Sequence, residues 1–169
     1  MKVTQLSSDT LDRAQERFLE CLKEMSLAEI NTMPEPLIKS VTWLVWHSAR
    51  VLDYQISPLM ETEQVYFSQG WKEKFDLDLP DDTKDWKHSP EEAAKVVVED
   101  KNLLIAYLET CMDLAKGYLA TLDETSMDEI VDRSWTPAVT RQVRLVSTID
   151  DVVMHSGQAV YTRRLVLGK

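Results

Sequence analysis

Glycine and proline are scarce in this chain, four and six among 169 residues. The prolines (Pro34, Pro36, Pro58, Pro80, Pro90 and Pro137) fall where long periodic stretches begin or end, which argues against a many-turned sheet and for helices. Cysteine is scarcer still. Cys21 and Cys111 form no CxxC pair, so neither a disulfide framework nor a cysteine metal cluster is expected, and both fit helical apolar patterns as reduced core thiols. Positive charge is in deficit, 19 Lys and Arg against 29 Asp and Glu for a net charge of -10, which disfavours nucleic acid, since a polyanion is bound by surplus cations. No apolar run approaches the roughly 18 residues that span a bilayer. Met1–Thr10 lacks a signal-like apolar core, so a cytoplasmic protein is expected. What is present is a hydrophobic share of 44%, enough for a sizeable core in one domain spanning 1–169.

Helical periodicity dominates the rest. Ser7 and Ser8 are N-cap candidates before Leu11, Phe18, Leu22 and Met25, predicting a first helix over 9–26. Leu37, Val41, Leu44, Val51, Leu52 and Leu59 predict a second, ending near Pro58. From Glu61 to His88 the period dissolves into aromatic and acidic residues, a long connection in which one short helix is expected, whose acidic run (Asp76, Asp78, Asp81, Asp82, Asp85) reads as a solvated face. Ser89, Pro90, Glu91 and Glu92 combine an N-cap, a proline in the first turn and a capping-box glutamate. They predict a third helix continuing through Val97, Leu104, Leu108 and Cys111 to Leu122, about nine turns long. After a connection holding Trp135 and Pro137, a last helix is predicted over 141–167, before Gly168. The expected architecture is all-α, a four-helix bundle with a long crossover between helices 2 and 3.

Two helices carry residues that could do chemistry. In helix 4, Thr148, Asp151, His155, Gln158 and Thr162 recur at threes and fours and so form one polar stripe. Such a stripe either faces solvent or lines an interior site in which facing helices supply metal ligands. In helix 2, His47 lies one turn from Leu44 and from Val51, so its imidazole is expected to point inward, as a core residue or as a ligand. Trp43, Trp46, Arg50 and Tyr54 around it supply the aromatic wall of a candidate pocket, to which Gln158 adds from helix 4. His88, in a polar stretch, reads as a surface residue, and Gly157 as a place where another helix or a ligand approaches closely. Arg163 and Arg164 complement the dipole at the end of helix 4.

Trp43-Leu44-Val45-Trp46-His47-Ser48-Ala49-Arg50, together with Asp150 to Ala159 and Arg163, resembles the DinB/YfiT-like family. That resemblance implies a four-helix bundle, often dimeric, with a divalent metal, nickel or zinc, held by one histidine of helix 2 and two of helix 4. It also implies activities such as S-transfer with a low-molecular-weight thiol. Carried over by position, His47 and His155 are ligands, and Asp151 stands where the family usually has histidine. A carboxylate is a competent ligand, and two imidazoles with one carboxylate leave positions open for water or substrate. The resemblance therefore implies a metal-dependent enzyme acting on a small molecule, or else a non-catalytic, small-ligand-binding or stress-related dimer with a degenerate site.

Overall fold

The computed structural model describes residues 3–169. Its helices are α1 (Val3–Glu24), α2 (Leu27–Ile30), α3 (Val41–Ile56), α4 (Val65–Ser68), α5 (Trp71–Phe75), α6 (Pro90–Ala94), α7 (Lys101–Thr121) and α8 (Arg141–Leu167). A two-stranded antiparallel hairpin, β1 (Ile130–Asp132) and β2 (Val139–Thr140), precedes α8. The expected all-helical DinB-like fold is present. No described helix is long and apolar enough to cross a membrane.

The four long helices α1, α3, α7 and α8 share one hydrophobic cluster, with Leu11, Phe18 and Leu22 from α1, Leu44 and Leu52 from α3, Leu104 and Leu108 from α7 and Val152 and Ala159 from α8. Each large apolar side chain buried there contributes about 1.5–3 kcal/mol by leaving water. Packing is between α1 and α8, α1 and α7, α3 and α7, and α3 and α8, so α1 stands diagonally from α3. Polar contacts fix the directions. Arg17 reaches Ser156, and Arg163 reaches Glu24, so α1 and α8 run the same way. Lys116 pairs with Asp12, while Lys101 donates to the carbonyls of Leu22 and Met25, so α7 opposes α1. Thr162 donates to the Lys39 carbonyl and Arg144 to Gln55, so α3 opposes α8. The order is therefore up-down-down-up, and the connection from Ser57 to Asp100 joins two parallel neighbours, as a crossover must.

Several sequence expectations need correction. The first helix begins at Val3, which puts Ser7 and Ser8 inside it rather than at its cap. The long third helix is two: the capping box at Ser89 forms as predicted, but the helix it starts ends at Ala94, and α7 begins afresh with the Asp100 side chain accepting from the Asn102 N–H. The break is fastened by Asn31, whose amide donates to the Val98 carbonyl at 2.8 Å and accepts its N–H at 3.2 Å, replacing the helical bonds that Val98 forgoes. Val97, assigned to the apolar face, is exposed there. Gly157 has no neighbour within 4 Å of where a Cβ would sit, so close helix packing is not its role. Gly168 ends α8 at φ +69°, a left-handed conformation that glycine adopts without strain.

Candidate functional site

Ser40 caps α3 by accepting the Trp43 N–H at 3.0 Å, and Thr140 caps α8 by accepting that of Val143. These caps open the two helices whose seam carries the site. His47 faces α8 from the middle of α3 and is 2% exposed. Asp151 and His155, four residues apart and so on one side of α8, face it. The polar stripe thus turns mostly inward: Thr148 and Thr162 are buried, Asp151 and His155 half-buried, and Gln158 exposed.

Both imidazoles are aimed by a partner on Nδ1. The Nδ1–H of His47 donates to Asp85 at 2.8 Å, and that of His155 to the Gln158 side-chain oxygen at 2.7 Å. Each ring then turns Nε2 toward Asp151, at 3.5 Å for His47 and 3.6 Å for His155. One ligand atom from each of the three residues can be chosen so that all lie within 4.8 Å of one another. Asp151 Oδ2 is buried and accepts no hydrogen bond of good geometry. Burial works against its charge, yet the two imidazoles more than offset this and hold the carboxyl below the usual carboxylate range. For His47, desolvation favours the neutral ring, but Asp151 and Asp85 outweigh it and raise the pKa. The donor set fits a divalent cation: two imidazole nitrogens oriented by second partners and an ionised carboxylate with an oxygen to spare.

The aromatic residues divide between two jobs. Trp43 stacks on His47 with ring centroids 4.4 Å apart and meets His155 edge-on at 5.9 Å, forming one wall. Tyr54 lies on the same side of α3, half-buried against the exposed ring of Trp86, and burial beside Asp85 and Asp151 pushes its hydroxyl pKa up. Trp46 and Arg50 belong to the neighbouring interior: Trp46 packs on Tyr66 and His88, while Arg50 donates to Asp53, Tyr107 and Gln64.

Sequence reasoning missed two residues. Asp85, read as part of a solvated acidic run, is 3% exposed and holds His47, whereas Asp76, Asp78, Asp81 and Asp82 are exposed as expected. His88, read as a surface residue, is buried: its Nδ1 accepts the Trp43 indole N–H at 3.0 Å and its Nε2 meets Thr83 at 2.8 Å. In the structure a 3-10 turn from Asp85 to Lys87 sends Asp85 and His88 to the same side, three residues apart.

The sequence model of the mycothiol S-transferase family matches residues 7–168. The chain belongs to that family. It is thereby a member of the DinB/YfiT-like superfamily, as the tryptophan-rich second helix and the last helix suggested. Among solved structures, a conserved protein of locus from Enterococcus faecalis is 65% identical, with a TM-score of 0.96 over 100% of this chain and 99% of that one. No curated protein matches the chain significantly. Membership in the mycothiol S-transferase family makes S-transfer at this seam the chemistry to test.

Proposed function

We propose that this protein is a divalent-metal-dependent S-transferase that joins a low-molecular-weight thiol to a small electrophile, with His47, Asp151 and His155 as ligands to nickel or zinc. The observation that carries the reading is the Asp151 carboxylate between two imidazoles, with His47 Nε2 3.5 Å from Oδ2 and His155 Nε2 3.6 Å from Oδ1, and with the buried Oδ2 accepting no hydrogen bond of good geometry. A carboxylate held ionised there, with an oxygen that accepts no well-aligned hydrogen bond, keeps lone pairs free for a cation. A divalent cation there would lower the pKa of a coordinated thiol and so supply a nucleophile at neutral pH.

The chain's own residues prepare that chemistry. Asp85 and Gln158 fix the tautomers of His47 and His155, keeping both Nε2 lone pairs available when the ring protons leave. Trp43 keeps water from one face of His47. The thiol has to come from outside. Cys21 and Cys111 are fully buried in the core, and burial pushes the Cys21 thiol up to about 11 and that of Cys111 well above its ordinary value. In this reading the protein works in the cytoplasm as a single domain and a homodimer. Met154 and Tyr161, exposed on α8 either side of Gly157, offer apolar surface for the second copy.

Metal content of protein purified without chelators, beside a His47→Ala/His155→Ala double variant, tests the reading. About one equivalent in the wild type and little in the variant is expected; equal metal in both overturns it. A thiol-consumption assay with a bimane electrophile then separates an enzyme from a metal-binding module.

A further inference from the structure

We propose that His88 is a positioning residue for the metal centre, acting through Trp43. The inference rests on the metal reading above but concerns a residue that reaches the ligands only through Trp43. His88 Nδ1 lies 3.0 Å from the indole nitrogen of Trp43, which is only a donor, so Nδ1 is the acceptor and carries no proton. Nε2 therefore bears the hydrogen and donates to Thr83 Oγ1 at 2.8 Å. Burial favours the neutral ring, consistent with this single tautomer.

The hydrogen bond fixes the indole about the axis that matters. Trp43 lies nearly parallel to His47, 11° between planes, and nearly perpendicular to His155, 84° between planes. One indole thus touches both imidazoles, and its rotation would disturb both at once. Lys39 completes the arrangement: its ammonium donates to the His88 carbonyl at 3.1 Å and stands 5.2 Å from the centre of the Trp43 ring. Trp46 closes the side of His88 with a near-parallel ring 6.1 Å away. No other polar contact of the Trp43 side chain is needed to explain its pose. Asp85 and Gln158 pull on the Nδ1 side of the two ligand rings, and Trp43 braces their planes.

The test compares wild type with His88→Ala, which removes the acceptor, His88→Asn, which keeps an acceptor near the Nδ1 position, and Trp43→Phe, which keeps a ring but loses the N–H. Metal-free protein is titrated with nickel and zinc, and ring nitrogen NMR signals are recorded. Expected results are an unprotonated Nδ1 at His88, an affinity loss of about tenfold in His88→Ala and Trp43→Phe, and recovery of most of it in His88→Asn. In metal-free protein the His47 and His155 ring signals should move in His88→Ala and return in His88→Asn. Unchanged affinity and ring signals in His88→Ala, or an Asn variant no better than Ala, overturns the proposal. If His88→Ala does not fold, Trp43→Phe decides: wild-type affinity and ring signals there overturn it equally. A wild type that takes up neither metal defeats the metal reading alone, and the ring signals still decide the role of His88.

Discussion

Helix α3 carries two buried polar centres less than two turns apart, and they differ in how fully their oxygens are used. Asp53, 0% exposed, accepts the backbone N–H groups of Val65 and Tyr66 at 2.8 Å, the hydroxyls of Ser57 and Tyr107, and Arg50. Both of its oxygens are engaged, and the cluster ties the crossing connection to α3. Around His47 the balance is otherwise: Asp151 Oδ2 accepts no hydrogen bond of good geometry, His47 Nε2 stands 3.5 Å from it, and His155 Nε2 stands 3.6 Å from Oδ1. A saturated cluster serves the fold; an unsaturated one of the same polarity, a turn and a half away, is where the proposed function places a ligand.

The contrast can be broken most forcefully at Asp53. Asp53→Ala leaves several buried donors and the Arg50 charge unpaired, and should cost about 3–5 kcal/mol of stability, read from the midpoint of urea unfolding. A loss no greater than that of a surface substitution would mean the cluster does not hold the fold. Asp151→Ala should do the reverse, costing metal-free protein little while abolishing the thermal shift produced by nickel or zinc, a shift worth about 2.7 kcal/mol when metal stands at 100 times its Kd. Asp85→Asn should weaken metal affinity about 10–100-fold, as outer partners of metal-bound imidazoles generally do, and calorimetric titration measures it.

The pH dependence sharpens the same contrast. His47 has its pKa raised in the folded, metal-free protein, so the stability it contributes is fully present below its unfolded value near 6.5 and fades as pH rises through the folded value. A metal competes with that proton, so metal-derived stabilisation should grow across the window in which the proton's contribution shrinks. Melting temperatures with and without zinc between pH 5.5 and 8.5 should therefore diverge with rising pH; parallel curves would contradict the assignment of His47. The smallest effect is expected at the cysteines. With its thiol near 11, Cys21 should resist iodoacetamide at pH 8 in folded protein, and Cys111, pushed higher, should resist it too, by mass spectrometry.

What could be read from the sequence follows from the range of the interactions involved. Periodicity and capping are local, so α8 was predicted with its observed bounds, and the Ser89 box was found with its glutamate. His47, Asp151 and His155 could be paired because each lies on a strongly periodic helix whose inward face is computable from spacing. The failures were tertiary. Nothing in the run from Lys95 to Asp100 reveals that the Asn31 side chain will replace its helical hydrogen bonds. Asp85 and His88 sit in a segment without period, where burial is decided by contacts with Trp43 and His47 some forty residues away. An acidic residue that orients a histidine cannot be told from its solvated neighbours by composition.

Asp53 grips the crossing connection at Val65 and Tyr66, and His47 grips it again at Asp85, so a single helix holds both ends of the intervening stretch. Insertions between those two anchor points would bulge outward at little entropic cost rather than drag the imidazole along. The surface bordering the seam, where the exposed Trp86 stands, can thus change independently of the geometry beneath it. On the proposed function, specificity and reactivity would then reside in separable parts of one polypeptide.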